Sequence, residues 1–169
     1  MLECLIFKTN WHFIMNDKRS LQDIHAPKSI CFGCGPMNEN GLKIKSYKYK
    51  NGLRMSFHPK KEHQAFPGIL NGGIIGTLFD CHGNWTAAMS IFESNNQKHF
   101  PATVTAFFEV QLLKPTPVDT KIEIFSQIIT SSKNKAKVEL ELFSKNDICA
   151  KSIGVFVSVK EGHPAFYRW

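Results

Sequence analysis

From about Gly73 to about Ser90 the chain reads as one helix that is apolar around most of its circumference, with Ile74, Ile75, Leu78, Phe79, Cys81, Trp85, Ala88 and Met89 on several sides. Such a helix has little surface to give to water, so the rest of the fold must enclose it. The downstream sequence is suited to that task. Val104, Ala106, Phe108, Val110 and Leu112 alternate with Thr105, Glu109 and Gln111, and Ile122, Ile124 and Ile128 continue the pattern. Val138, Leu140 and Leu142 then alternate with Lys137, Glu139 and Glu141, followed by Ile153, Val155, Val157 and Val159. Each stretch reads as a strand with one apolar face. Turn signals at Lys114 to Pro117, Ser131 to Asn134 and Lys145 to Asp147 make these strands consecutive antiparallel neighbours. Upstream, Leu42 to Lys50 and Leu53 to His58 read as two more strands, joined at the hairpin dipeptide Asn51-Gly52. The order β-β-α-β-β-β-β predicts an α+β fold in which a curved antiparallel sheet of five to six strands wraps a long central helix.

A chain of 169 residues with 43% hydrophobic content can bury one substantial core. Residues 1–28 show no clear period and read as an N-terminal extension, within which Met15 serves equally well as a start. The domain is expected over 29–160, with 161–169 as a tail. No apolar run reaches the roughly 20 residues a membrane helix needs, and Glu3 and Lys8 interrupt the apolar opening, so no membrane partner is expected. Five unevenly spaced cysteines argue against a secreted disulfide framework and for a reducing cytoplasm. The net charge of +7 invites a nucleic-acid reading. The lysines are scattered, however, and Lys43, Lys45, Lys48 and Lys50 alternate with Leu42, Ile44, Tyr47 and Tyr49 as the solvent face of a strand, so no nucleic-acid partner is expected.

The chemistry concentrates at the helix start. Gly72 and Gly73 permit a tight turn and close backbone approach, and the first amides of the helix have no partner within it. Amides so placed, reinforced by the helix dipole, suit a developing oxyanion. Asp80 is the lone carboxylate of the apolar helix, and an ionised carboxylate there is costly unless hydrogen-bonded or used. Asn84 follows it by four residues, on the same helical face, where the pair can hold a water. Cys31 and Cys34 form a lone C-x-x-C, but no second pair follows at metal-binding spacing, so the pair reads as structural and no metal is expected. His58, His63 and His82 are scattered and read as surface or core residues, His63 lying nearest the glycine motif.

Three segments together carry a family resemblance. They are C-F-G-C-G-P-x-N-x-x-G-L from Cys31 to Leu42, F-P-G-I-x-x-G-G-I-I-x-T-L-x-D from Phe66 to Asp80, and L-x-P-x-P from Leu113 to Pro117. With the order of elements, they resemble the hotdog-fold acyl-CoA thioesterases of the PaaI type, from about Cys31 to Val159. The resemblance implies that Asp80 acts as nucleophile or general base on a thioester carbonyl polarised by the Gly72 amide. Asn71 stands where that family usually has His, and can orient substrate or Asp80 but cannot titrate. The family's Gln or Asn six residues before that position is here Ala65, with Gln64 one place earlier as a substitute. Gln64, His63, Gly73, Asn84 and Thr105 are the expected substrate contacts, and Phe66, Phe79, Trp85, Phe107 and Phe108 candidates to line an acyl pocket. No cofactor is implied. An acyl-CoA substrate is, together with a homodimer, or a tetramer as a dimer of dimers, in which the helix start of one subunit faces the acid of the other. A hotdog binding protein without turnover and a hotdog hydratase or dehydratase are the alternatives.

Overall fold

A computed structural model of the chain describes residues 19–168. Met15 lies outside them. The described chain forms α1 (Leu21–His25), β1 (Tyr47–Tyr49), β2 (Gly52–Phe57), a single 3-10 turn (Lys61–His63), β3 (Gln64–Phe66), β4 (Ile69–Leu70), α2 (Gly72–Ser94), β5 (Thr103–Leu112), β6 (Ile122–Ser131), β7 (Lys135–Ser144) and β8 (Asp147–Ser158). The long helix, the upstream hairpin and the four downstream strands stand in the expected order. α1, β3 and β4 are too short to leave a period in the sequence. The helix also runs four residues beyond Ser90, ending at Ser94 with Asn95 as its C-cap.

The expected sheet is present: β1 to β8, without β3 and β4, make a six-stranded antiparallel sheet in the order β1-β2-β6-β7-β8-β5 around α2. One expected adjacency is absent, since β5 pairs with β8 and not with β6. The connector after β5 holds Pro115 and Pro117, which cannot donate to a ladder. It crosses to the β3–β4 hairpin instead, where Leu70 donates to the Thr116 carbonyl (2.8 Å) and Val118 to that of Gly68 (3.0 Å). The chain then returns as β6 beside β2. Between Leu42 and Ser46 the expected strand gives way to irregular chain, with Lys43 at φ +55, because Leu42 and Ile44 donate to the Phe32 and Gly33 carbonyls (2.8 and 3.0 Å) and not to a sheet. Residues 21–25, read from sequence as extension, are docked: Leu21 is buried and its amide donates to the Ser46 carbonyl at 2.9 Å.

The sheet's inner face departs from the sequence pattern in β8. Ala150, Ser152, Gly154 and Phe156 are buried, while Ile153, Val155 and Val157 are half-buried on the other face. The smaller set faces inward because α2 packs closely there. A Cβ added at Gly83 of the helix or at Gly154 of the strand would lie 2.7 or 2.5 Å from the Phe156 ring, so the ring fits only between two glycines.

A polar network crosses this core. His82 of α2 is fully buried, its Nδ1 2.8 Å from Ser46 Oγ and its Nε2 3.3 Å from Ser126 Oγ of β6. Ser46 Oγ also accepts from Gln22 Nε2 (3.0 Å), which ties α1 to the helix. Burial holds the imidazole pKa at about 3, against 6.5 when exposed. Below pH 6.5 the unfolded chain therefore binds a proton that the folded chain refuses down to about pH 3, so stability falls as pH falls through that window. By about pH 5 the loss from this group is about 2 kcal/mol. Denaturant unfolding against pH should show this acid slope, and His82→Gln should remove one proton from it. An unchanged slope would mean that His82 does not carry it.

Candidate active site

The β3–β4 hairpin aims the chain into α2. Gly68 takes φ +82 at its turn, where a side chain would be strained. Gln64 braces that turn with both ends of its carboxamide, accepting from Gly68 N (2.6 Å) and donating to the Lys61 carbonyl (2.8 Å). His63 stacks on Phe57 with ring centres 5.5 Å apart, and its carbonyl accepts from Asn71 N (2.9 Å). Its Nδ1 accepts from Lys60 N (3.1 Å), and burial lowers its pKa. His63 and Gln64 thus hold the segment that delivers Asn71.

Asn71 is the helix N-cap. Its backbone is extended and its Oδ1 accepts from Gly73 N at 2.7 Å. The substitution of Asn for the expected His therefore has a structural use, because the carboxamide satisfies an amide that would otherwise face solvent. The same bond commits the Gly73 amide. That of Gly72 has no acceptor among the described residues. Asn71→Ala should cost about 1 kcal/mol of stability in denaturant unfolding, while Asn71→Asp should keep the cap.

Asp80 lies two turns further along. It is half-buried, and its Oδ1 accepts from Thr105 Oγ1 of β5 at 2.5 Å. Asn84 Nδ2 reaches the same hydroxyl at 3.5 Å, and Asn84 Oδ1 accepts from Thr103 Oγ1 at 2.6 Å. The sequence spacing suggests a water shared by Asp80 and Asn84; the structure has the Thr105 hydroxyl between them. The chain Thr103–Asn84–Thr105–Asp80 fixes one carboxylate oxygen and leaves Oδ2 with no hydrogen-bond partner among the described residues. Thr103 was not among the residues read from sequence. The Thr-x-Thr at the head of the strand was its only trace.

A β-bulge makes this possible. In β5, Thr103 opposes Ser158 and Thr105 opposes Phe156, whereas after the register shift between Thr105 and Phe107 it is Phe108 that opposes Gly154. Directly opposed residues share a face, so Thr103, Thr105, Phe108, Val110 and Leu112 all look toward the helix side. Simple alternation would have set Thr105 opposite to Phe108.

Gly72, Gly76 and Asp80 follow at intervals of four and lie along one face of α2. A Cβ at Gly76 would meet nothing within 4 Å, so the strip between the helix start and the carboxylate is open. A Cβ at Gly72 would lie 3.1 Å from Leu112 Cδ1, which sets a wall beside the first amide. Eight residues at the helical rise place Gly72 and Asp80 about 12 Å apart along the axis. One carbonyl cannot touch both within one chain.

Of the aromatic candidates, Phe79 and Trp85 are fully buried core. Phe66, Phe107 and Phe108 are exposed, the last two with Leu112 and Leu113 on β5 and just beyond it. Three thiols gather on another side of the helix, where Cys31 and Cys34 of the loop before β1 meet Cys81 of α2, turned about 100° from Asp80.

No family model matches the sequence, and no curated protein matches it. Among solved structures, a thioesterase superfamily protein from Shewanella loihica is 32% identical, with 69% of this chain and 91% of that chain covered and a TM-score of 0.59. The E. coli PaaI protein from the phenylacetic acid degradation operon matches at 12% identity, over 70% of this chain and 81% of that one, with a TM-score of 0.60. A Streptococcus mutans protein bound to acetyl CoA matches at 14% identity, over 69% and 88%, with a TM-score of 0.57.

Proposed function

The chain belongs to the thioesterase superfamily, and from that premise we propose that it hydrolyses an acyl-CoA thioester at a site shared between two copies of itself. The observation that carries the reading is the Asp80 carboxylate, one oxygen held by Thr105 and the other open, on a helix face left bare by Gly76. Thioester hydrolysis needs a nucleophile delivered to the carbonyl carbon and a donor for the oxyanion, while the thiolate departs with little acid assistance. Asp80 supplies the first, activating water or attacking directly. The unengaged Gly72 amide, at the positive end of the helix dipole, supplies the second.

The separation of about 12 Å between these groups motivates the dimer. So does the sheet edge. β1, at one edge, is three residues long and carries Lys48, features that discourage pairing. β5, at the other, is ten residues long and leaves Phe107 53% and Leu112 58% exposed. An apolar edge of that length suits a second copy of the same edge, running antiparallel about a two-fold axis. Such a pairing would bring the helix start of one protomer to the carboxylate of the other.

A carrier with a phosphorylated tail also suits the basic surface of a chain with net charge +7. The test is thiol release from short-chain, long-chain and aryl acyl-CoA esters by the purified dimer. Turnover of at least one ester supports the reading and names its acyl class. If folded dimer binds the esters and releases no thiol from any, the protein is a ligand-binding relative, a reading favoured by the structural commitments of Asn71 and Gln64.

A further inference from the structure

Cys31 and Cys34 form the lone C-x-x-C of the sequence, and the fold brings them a third thiol. The sulfurs of Cys31, Cys34 and Cys81 lie within 4.8 Å of one another, with Cys31 Sγ 3.8 Å from Cys81 Sγ. All three are free thiols. Thiolates bound tetrahedrally to one zinc at about 2.3 Å stand about 3.8 Å apart, so this spacing needs little adjustment to accept an ion. We propose that these three cysteines bind one Zn²⁺ per chain, with the fourth position open to water or an external thiolate beside Cys31.

The surroundings of the sulfurs support this assignment. The residue before Cys34 is Gly33, where a Cβ would lie 2.3 Å from Cys81 Sγ. The loop has room for the helix thiol only because that residue has no side chain. At Gly35 a Cβ would lie 2.4 Å from Cys31 N and 2.6 Å from its carbonyl oxygen, and the Gly35 amide donates to that carbonyl at 2.8 Å. The turn so closed holds Cys31 and Cys34 together beside the helix thiol. On the helix side, Trp85 Nε1 donates to Cys34 Sγ at 3.2 Å. Donors placed around a sulfur stabilise the thiolate that a metal requires, and they fix its direction as outer-shell partners do in metal sites.

The charge state of the metal-free cluster agrees. Neighbouring thiols and amides depress the Cys31 pKa, while Cys34 is pushed up to about 11 and Cys81 is raised by the same partners and by burial. A binding cation displaces the remaining thiol protons to the solvent. Cys34 and Cys81 are buried, and Cys31 is half-exposed, so it marks the way in. Bound there, the ion would join the 31–35 loop to the middle of α2, at the residue after Asp80.

The experiment uses the full chain, reduced, stripped with a chelator and then titrated with Zn²⁺ against a chromophoric competitor. One equivalent should bind, and Co²⁺ in its place should give thiolate-to-metal charge transfer and the intense visible bands of a tetrahedral site. Zinc should raise the thermal midpoint of the stripped chain. Alkylation mapped by mass spectrometry on the unsubstituted folded chain should show zinc slowing modification of Cys31, the half-exposed thiol, a readout that needs no variant to fold. Cys31→Ser, at the half-exposed position, should lose at least tenfold in affinity, while Cys149→Ser should keep it. Absence of stoichiometric binding by reduced folded protein would overturn the proposal. So would Cys31 alkylated as fast with zinc as without it, binding unchanged in Cys31→Ser, or closure of the cluster to a disulfide while zinc is present.

Discussion

Asp80→Asn should lower kcat for acyl-CoA hydrolysis by about 10²- to 10⁴-fold, the range a positioned acid–base group contributes, and leave ester binding nearly unchanged. The change suits the purpose because it is nearly isosteric. Thr105 Oγ1, which donates to Asp80 Oδ1, can donate equally to the Asn carbonyl, so the Thr103–Asn84–Thr105 chain has no reason to rearrange. What is lost is the open oxygen's charge and basicity. Thiol release under saturating ester, with affinity measured separately by calorimetry, divides the effect between the chemical step and binding. A variant that turns over within a few-fold of the parent would remove Asp80 from the reaction. One that no longer binds would assign it to substrate contact.

Mixing two inactive variants should restore activity if each site draws its carboxylate and its oxyanion donor from different protomers. Gly72→Pro is the partner for Asp80→Asn. Gly72 is the first residue of α2, where proline suits the helix and removes only the amide hydrogen. Its ring must displace Leu112 Cδ1 slightly, since a Cβ there lies 3.1 Å away. Alone, this variant should lose about 10²- to 10³-fold in kcat, the effect of deleting one oxyanion donor. In a mixed dimer one site pairs an intact Gly72 with an intact Asp80, and the other lacks both. Random reassortment of equal amounts should therefore recover about a quarter of the parent activity. Recovery absent from dimers shown to have exchanged would contradict the shared site.

The architecture was legible in the sequence because each main element announces its period. α2 is apolar on several sides and β6 and β7 alternate cleanly, so one long helix inside a sheet was the economical packing. The glycine pair and Asp80 were legible for the same local reason, since their spacing along one helix is independent of anything else. Gln64, His63 and Asn71 were found as neighbours of the motif. Their bonds, however, which brace a two-residue turn and cap a helix, depend on a hairpin too short to leave a pattern.

Strand adjacency was not local. A turn signal after β5 says that the chain leaves the ladder but not where it rejoins, and only the prolines' lack of donors and the waiting β3–β4 hairpin send β6 to the side of β2. The inward face of β8 was misread for a related reason. Hydrophobicity favoured Ile153, Val155 and Val157, but the helix approaches so closely at Gly83 that Gly154 and Phe156 must meet it.

By itself, then, the sequence determined the helix, the sheet around it and the carboxylate on the helix, all of which follow from periodicity within single segments. Tertiary structure decided which residues meet that carboxylate and those thiols. A bulge in β5 turned Thr105 to Asp80, and the packing of a loop on α2 brought Cys81 to Cys31 and Cys34 across 50 residues of chain. Register shifts and long-range contacts depend on how whole elements pack, and no local pattern encodes them.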